Sequence, residues 1–168
     1  MPDLPDIPVT IRPYRPSDAA ACRRLYAEGV VEGGNLADND TGADVDDIDT
    51  AYVRPPGNGF WVAVSSAGEV VGMIGVQHHD QGVGEIRRLR VKRDNQRRGI
   101  GSKLLERALA FCEDNGYLKV TLDTYVGRLP AIRLFEKSGF RLDHAKSVGG
   151  RELRYFYRDL YHQRTADG

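Results

Sequence analysis

The sequence predicts a single domain of mixed α/β class, in which helices flank one mixed β-sheet. Runs rich in β-branched and aromatic residues alternate with segments whose apolar residues recur at helical spacing. One helical segment, 100–115, separates two strand-like runs, which is typical of a parallel crossover. At 168 residues the chain is long enough for one hydrophobic core. We expect residues 9–161 to form this core, with terminal tails at 1–8 and 162–168.

The first half of the chain begins with a strand-like run at 9–15, which a helix follows. Ser17 and Asp18 are candidate N-cap residues for this helix, and we expect it to end at about Val31. A loop rich in glycine and aspartate comes next. A short helix at 45–53 then ends before a pair of prolines.

Three further strand-like runs lie at 60–64, 70–79 and 84–91, with a turn-forming segment between the first two. The third run is ambiguous. Alternation divides it into Glu85, Arg87, Leu89 and Val91 on one face and Ile86, Arg88 and Arg90 on the other. Because neither face is apolar, this run fits a central strand only if a β-bulge shifts the alternation.

The second half of the chain contains the clearest helix. It begins at Ile100 and ends at about Asn115, with Gly116 in position for a left-handed C-terminal cap. The remaining predicted elements are a strand at 118–124, a helix at 130–138, and strands at 140–143 and 151–160. We find no internal repeat and no boundary of a second domain along this order of elements.

The formal net charge is zero, but the charged residues are separated along the chain. Residues 25–53 contain no Lys or Arg and eight acidic residues: Glu28, Glu32, Asp38, Asp40, Asp44, Asp46, Asp47 and Asp49. Residues 87–103 contain Asp94 and eight basic residues: Arg87, Arg88, Arg90, Lys92, Arg93, Arg97, Arg98 and Lys103. These regions are either solvated faces or binding surfaces, and composition leaves both interpretations open.

Composition and spacing disfavour several classes of protein. No run approaches the ~20 apolar residues that span a bilayer, and the N-terminus lacks the basic and apolar regions of a secretory signal. Cys22 and Cys112 lie too far apart to indicate a disulfide framework or a zinc site. We therefore expect a cytoplasmic protein that neither spans a membrane nor binds a metal.

The segment QRRGIG, at 96–101, follows a predicted strand and opens a predicted helix. A helix N-terminus carries unpaired N–H groups and about half a positive charge. Glycines let the backbone approach a phosphate closely, and neighbouring arginines add positive charge. The segment therefore indicates a binding site for an anion.

Other anion-binding motifs fit this segment less well. The spacing before GIGSK differs from that of a Walker A loop, and Leu104 stands where a dinucleotide fingerprint has a small residue. No aromatic residue is interleaved for base stacking, and no nucleic-acid-binding signature accompanies the basic cluster. We therefore do not expect nucleic acid as a partner.

The stretch RLRVKRDNQRRGIGSKLLERALAFCEDNG, followed by VTLDT and AIRLFEKSGF, resembles the GNAT superfamily of acetyl-CoA-dependent N-acetyltransferases. The resemblance extends over about 10–160 and is most specific over 85–140. It implies a twisted mixed sheet splayed between the fourth and fifth strands, with the pantetheine arm of acetyl-CoA in the split. It also implies an acyltransferase that moves acetyl from acetyl-CoA to a primary amine by direct attack in a ternary complex.

The resemblance assigns residues to acetyl-CoA. The backbone of Leu89, Arg90 and Val91 would pair with pantetheine. The pyrophosphate would be held by the turn and helix start, formed by Gln96, Arg97, Arg98, Gly99, Ile100, Gly101 and Ser102. Arg128 replaces an asparagine that often contacts the cofactor in this family, so we expect it to bind CoA with a different geometry.

Acetyl transfer requires a neutral amine, and an alkyl amine with a pKa of ~10.4 is almost wholly protonated at neutral pH. By resemblance, Glu85 lies where many family members place their base, and we expect it to act through water. Asp123 is the second candidate. Simple pairing of Glu85 with a neighbouring arginine, and a solvated or capping role for Asp123, stay open as alternatives.

The chain departs from the family pattern at Phe135, where many members have a tyrosine that protonates the leaving thiolate. Phenylalanine cannot donate a proton. A thiol of pKa ~8.5 is a fair leaving group, so this loss should slow the reaction rather than abolish it. Tyr125 and Tyr157 are candidate replacements, and no spacing argument selects between them.

The acceptor is less well determined than the cofactor. The strand GEIRRLRV is most similar to family members that act on small molecules, so we expect a small amine. A protein N-terminal or lysine acetyltransferase, and a non-catalytic acyl-CoA-binding regulatory module, stay open as alternatives. The acidic segment 32–49 lies where the family builds its acceptor site. It would favour a cationic amine, or it is only a solvated loop.

Two pairs of adjacent residues are weaker candidates for the site. His78 and His79 would point to opposite faces of a strand, so they cannot bind one metal, and we expect surface histidines. Phe60 and Trp61 begin a core strand, and at most one of them would line the acceptor pocket. The sequence leaves a homodimer open.

Overall fold

The structure is a computed structural model that describes Pro5, residues 7–33 and residues 41–161 of the chain. The strands are β1 Val9–Pro13, β2 Gly59–Ser65, β3 Val70–Asp80, β4 Val83–Val91, β5 Lys119–Tyr125, β6 Arg141–Val148 and β7 Arg151–Asp159. The helices are α1 Ala19–Gly33, α2 Ala43–Asp46, α3 Ile100–Asp114 and α4 Leu129–Lys137. Most of the predicted tails and part of the glycine- and aspartate-rich loop, residues 34–40, lie outside the described residues.

One mixed sheet contains all seven of these strands, in the order β1-β2-β3-β4-β5-β7-β6. Its neighbours pair antiparallel except for β4 and β5, which are parallel and joined through α3. The predicted fold class and the predicted parallel crossover are therefore confirmed.

The core lies on both faces of the sheet. On one face, α3 and α4 cover a large cluster that includes Trp61, Ile86 and Leu104. On the other face, α1 and the segment after α2 cover a smaller cluster that includes Leu25, Tyr52 and Met73. β4 is the middle strand of the sheet, and β3 and β5 are its two neighbours. None of the described helices combines the length and hydropathy needed to cross a membrane.

Two local predictions in the first half of the chain were wrong or incomplete. A 3₁₀ turn at Pro16–Asp18 precedes α1, and Asp18 accepts a hydrogen bond from the Arg15 N–H at 2.8 Å instead of acting as the N-cap. The predicted helix at 45–53 is divided into α2 and a π-helical turn at Asp49–Val53. The break falls at Asp47, whose φ is −143°.

The sixth strand is longer than predicted, and it forms a hairpin with β7. Every residue from Arg141 to Ser147 is exposed, and β6 lies at the edge of the sheet. An edge strand exposed on both faces has no apolar alternation for a sequence pattern to detect. Gly149 and Gly150 close the hairpin, both with positive φ, as a tight two-residue turn requires.

Candidate active site

A β-bulge in β4 resolves the ambiguous alternation of that strand. Opposite the single residue Ile74, β4 places two residues, Arg88 and Leu89, and Arg88 has a φ of 59°. The extra residue moves Leu89 and Val91 onto the α3 face, where both pack against the large cluster that contains Ile86. The predicted bulge is therefore confirmed.

Next to this bulge, β4 and β5 part from one another. Their parallel ladder contains three pairs, which run from Val83 opposite Lys119 to Glu85 opposite Thr121. Beyond Glu85 the two strands are no longer paired with each other, and the space between the second half of β4 and the end of β5 is called the cleft. The splayed sheet predicted from the resemblance is present at this position.

Glu85 lies where the two strands separate, within a cluster of polar side chains. Its Oε2 atom is 3.1 Å from His79 Nδ1, and its Oε1 atom is 3.6 Å from Arg87 Nε. Arg87 Nη1 also donates to Gln77 Oε1 at 3.0 Å. Burial raises the pKa of Glu85 above its ordinary value; Arg87 and His79 oppose this shift, and the charge of Asp123 adds to it.

Asp123 faces the same cleft from β5. It is paired in register with Tyr155 of β7, and directly opposite residues of an antiparallel pair share a face of the sheet. Burial raises the pKa of Tyr155, and the nearby charges of Asp123, Tyr125 and Glu85 raise it further. The structure therefore brings both predicted carboxylates to one cleft, and it adds Tyr155, which the sequence analysis missed because the register of β5 and β7 is not visible in sequence.

The helix start at QRRGIG has the conformation expected of an anion site. Gly99 is the N-cap of α3 with a φ of 79°, and Arg97 before it is also left-handed, with a φ of 63°. No side chain caps this helix end, so the first N–H groups of α3 are not used by a cap. Gly101 allows α3 to pack closely on α4, because a Cβ at this position would lie 3.3 Å from Leu134.

The β4 residues predicted to pair with pantetheine lie along the open part of the cleft. The Leu89 carbonyl accepts a hydrogen bond from Arg90 Nη1 at 2.9 Å, and the Val91 carbonyl accepts one from Gln96 Nε2 at 3.1 Å. Arg128 is the N-cap of α4, and its Nη2 donates to the Gly29 carbonyl of α1 at 2.9 Å. The predicted cofactor residues thus lie on β4, in the turn and first residues of α3, and at the start of α4, and their contacts with CoA stay a prediction.

The aromatic candidates have different surroundings. Phe135 is buried in the core, with Phe140 at 6.0 Å between ring centroids. Tyr125 lies under the Arg151 guanidinium, and Tyr157 lies under the Lys119 ammonium. Phe60 and Trp61 are both buried in the core. Trp61 belongs to the large cluster and Phe60 to the smaller cluster on the other face of the sheet.

The described part of the acidic segment is largely used for internal contacts. Asp44 binds Arg88 at 2.7 Å and accepts a hydrogen bond from the Tyr52 hydroxyl at 2.6 Å. Asp47 accepts hydrogen bonds from Thr50, and Asp49 pairs with an arginine five residues on. Asp38 and Asp40 lie outside the described residues. Within the described residues, no group of three His, Cys, Asp or Glu side chains is arranged to hold a metal ion.

The parting of β4 and β5 beside Glu85, together with the uncapped start of α3, defines an acyl-CoA-dependent N-acyltransferase fold. The sequence model of the acetyltransferase (GNAT) family matches residues 21–140, which is well over half of the chain. The chain therefore belongs to the GNAT acetyltransferase family, and the resemblance found in its sequence is confirmed.

Individual relatives narrow the comparison. The chain is 37% identical to an N-acetylaspartate synthetase from Danio rerio over 99 residues. The match covers 58% of this chain and 35% of that protein. It is 36% identical over 103 residues to N-acetyltransferase 8 from Homo sapiens, covering 58% of this chain and 45% of that protein. The chain thus spans less than half the length of these two curated relatives.

Two solved structures share the fold. An acetyltransferase of the GNAT family from Staphylococcus aureus aligns with a TM-score of 0.81 at 21% identity, over 91% of this chain and 99% of that one. A GNAT superfamily phosphinothricin acetyltransferase from Sinorhizobium meliloti, solved in complex with AcCoA, aligns with a TM-score of 0.76 at 18% identity, over 90% of this chain and 88% of that one.

Proposed function

We propose that this protein is an N-acetyltransferase that moves acetyl from acetyl-CoA to the primary amine of a small molecule by direct attack in a ternary complex. The observation that carries the proposal is the position of Glu85. Its carboxylate lies where the ladder between β4 and β5 ends, beside the cleft that the family uses for pantetheine. A partly buried carboxylate with a raised pKa is suited to accept a proton near neutral pH.

The residues around the cleft fit acetyl-CoA. The uncapped N–H groups at the start of α3, with Arg97 and Arg98 beside them, would hold the pyrophosphate. The backbone of Leu89, Arg90 and Val91 on β4, beyond the end of its ladder with β5, would pair with the amide groups of pantetheine. Bound acetyl-CoA supplies an activated thioester carbonyl and a thiolate leaving group.

The chain's own groups then prepare the amine. Glu85 removes a proton from the ammonium form, directly or through one water, and so frees the nitrogen lone pair for attack. Asp123, on the other side of the cleft, attracts the cationic amine before deprotonation. Tyr155 shares the Asp123 face, and its raised pKa keeps the phenol protonated, which makes Tyr155 a better candidate acid than the core residue Phe135.

Arg87 favours an acceptor that carries a carboxylate as well as an amine. Its guanidinium, 34% exposed, lies beside Glu85 at the mouth of the cleft. A guanidinium group has five N–H donors, so Arg87 can bind a carboxylate in addition to Glu85 and Gln77. The name of one relative, N-acetylaspartate synthetase, agrees with a small amine of this kind. An amino acid or a similar amino-carboxylate is therefore our preferred acceptor class.

A screen of acceptors tests this proposal. CoA thiol release is measured with amino acids, with the matching amines that lack the carboxylate, with polyamines, and with peptides that have a free N-terminus or a lysine. We expect turnover with small amines, and higher kcat/KM for each amino acid than for its decarboxylated partner. Turnover on peptides alone would favour the protein acetyltransferase alternative. Tight acetyl-CoA binding without turnover on any amine would favour the non-catalytic module.

Two further features stay predictions from the sequence. They are a cytoplasmic location and the homodimer that the sequence left open. Light scattering of the purified chain at several concentrations measures its mass and decides between monomer and dimer.

A further inference from the structure

We propose that His79 is a proton relay that carries the proton taken up by Glu85 from the cleft to solvent. This inference rests on the proposed function, because it concerns the proton that the amine must lose. It assigns a role to a residue that sequence alternation places on the surface. His79 acts through Glu85, so it is a positioning and relay residue and not the base itself.

A second β-bulge aims His79 at Glu85. On β3, His78 is paired with Gly84 and Asp80 with Val83, which leaves His79 as the extra residue between two consecutive partners. Such bulges redirect side chains. The His79 ring reaches Glu85, with 3.1 Å between Nδ1 and Oε2, whereas His78 packs near Tyr117 on the other face of the sheet.

Exposure of the two groups follows the direction that a relay needs. The side chain of Glu85 is 27% exposed, and that of His79 is 57% exposed. The carboxylate is therefore within the mouth of the cleft, and the imidazole connects it to bulk water. An imidazole has two ring nitrogens, so it can accept a proton at one of them and release a proton from the other.

The polar and titratable groups around this pair come from four strands. On β4, Arg87 Nε lies 3.6 Å from Glu85 Oε1, so the two carboxylate oxygens have different partners. On β3, Gln77 accepts a hydrogen bond from Arg87, and His79 contacts Oε2 of Glu85. From β5, the charge of Asp123 raises the pKa of Glu85. The charges of Asp123 and Glu85 both raise the pKa of Tyr155 on β7. Among these groups, His79 is the one that contacts both Glu85 Oε2 and bulk solvent.

Proton balance explains why such a path is useful. An alkyl ammonium group has three protons on nitrogen, and the N-acetyl product keeps one. One of the other two ends on the thiol of CoA, and the second must leave for solvent in every turnover. In our scheme the ammonium proton passes to the Glu85 carboxylate, then to neutral His79 Nδ1, and the resulting imidazolium releases a proton to water. Glu85 is again a carboxylate and His79 again neutral.

The test compares wild type with His79→Gln, His79→Ala, Glu85→Gln and the matched control His78→Gln. General acid–base groups contribute about 10²–10⁴-fold, so we expect Glu85→Gln to lower kcat/KM by roughly 10² and His79→Gln by roughly tenfold. The loss should lie mainly in kcat. Added imidazole buffer should restore the rate of His79→Ala in proportion to its concentration. His78→Gln should resemble wild type.

A second measurement does not depend on activity. Carboxyl ¹³C NMR of Glu85 reports its titration, and the charge of His79 lowers the pKa of Glu85. His79→Gln should therefore move this titration to higher pH, and His78→Gln should leave it in place. A titration unchanged in His79→Gln, or a His79→Ala rate equal to wild type and insensitive to buffer, would overturn the relay. Absence of turnover in wild type with a shifted titration would instead overturn the proposed function.

Discussion

At the residue scale, Arg88 holds the central strand in an unusual conformation. Its positive φ is costly for a residue with a Cβ, and the surrounding contacts compensate for that cost. The guanidinium donates two hydrogen bonds to Asp44, at 2.9 and 2.7 Å, and lies over the Tyr26 ring at 5.0 Å. The acidic segment thus fixes the bulge that shapes the cleft, by way of a buried ion pair.

Breaking this pair should destabilise the protein strongly. We expect Asp44→Asn to lower the free energy of unfolding by about 3 kcal/mol, because it leaves the Arg88 charge buried without its carboxylate. Asp49→Asn is the matched control, since its partner Arg54 is exposed, and it should cost no more than about 0.5 kcal/mol. Urea denaturation of the three proteins measures both values, and equal stabilities of the two variants would contradict the prediction.

The same carboxylate should make stability fall in acid. Burial alone would raise the pKa of Asp44, but hydrogen bonds from Arg88 and Tyr52 outweigh it and lower the pKa to about 2. The unfolded value is about 3.9, so the pair contributes on the order of 2 kcal/mol at neutral pH. That contribution is complete above about pH 4 and is lost as pH falls towards 2. Denaturation at several pH values should show this acid limb in wild type and a shallower one in Asp44→Asn.

At the element scale, the end of α1 connects the two sides of the cleft. Arg90 of β4 packs so closely on Gly29 that a Cβ there would lie 2.3 Å from Arg90 Nε. Arg128, at the start of α4, donates to the Gly29 carbonyl. Glu28 accepts the Arg93 N–H at 2.9 Å. One helical turn therefore contacts β4, α4 and the segment that leads to α3.

A double-mutant cycle at Gly29 tests this packing. In wild type, Gly29→Ala should cost roughly 1–3 kcal/mol, because the added Cβ overlaps Arg90. In an Arg90→Ala background the overlap is gone, and the same change should stabilise by up to about 1 kcal/mol through helix propensity. Thermal denaturation of the four proteins gives the coupling. The same effect of Gly29→Ala in both backgrounds would show that Arg90 does not constrain this helix.

The turn before α3 gives a second prediction at this scale. Gly99→Ala should cost about 1–2 kcal/mol because of its positive φ, and it should also raise the KM for acetyl-CoA by displacing the start of α3. Gly68 in the β2–β3 hairpin has a similar φ of 83° and open space around it. Gly68→Ala should therefore lose comparable stability without any change in KM. An equal rise in the KM for acetyl-CoA in both variants would contradict a specific role of Gly99 in binding the cofactor.

At the scale of the whole molecule, folding brings together the two charged regions that lie apart in sequence. Asp44 pairs with Arg88, and Glu28 binds the backbone of Arg93, so part of the acidic segment covers part of the basic one. The basic residues Arg97, Arg98 and Lys103 lie at the start of α3. The formal net charge of zero therefore conceals a local positive region.

This charge distribution predicts that CoA binding weakens with salt. The Debye length falls from about 10 Å at 0.1 M to about 3 Å at 1 M, which screens the contact between exposed arginines and phosphates. Calorimetric titration of acetyl-CoA at roughly 0.05 and 0.5 M NaCl should show a higher Kd at high salt. Arg97→Gln should bind more weakly at low salt and depend less on salt. A Kd independent of salt would argue against phosphate binding at this corner.

Several features of the site were accessible from sequence because they depend on local order. QRRGIG lies between a strand and a helix, and this context alone indicates an anion site. The bulge in β4 was also predictable, since without it the strand has no apolar face. His79 and Tyr155 were missed, because their roles depend on a bulge in β3 and on the register of β5 with β7.

By itself, the sequence determined the class of the fold and the family, and it predicted an anion site at the start of α3. Each of these is set by short-range periodicity, turn chemistry or a continuous motif. Only the tertiary structure decided the partners of the charges: Asp44 with Arg88, Glu85 with His79, and Asp123 with Tyr155 on one face. Electrostatic pairing depends on distances of a few ångströms between residues far apart in the chain, and packing and strand register set those distances.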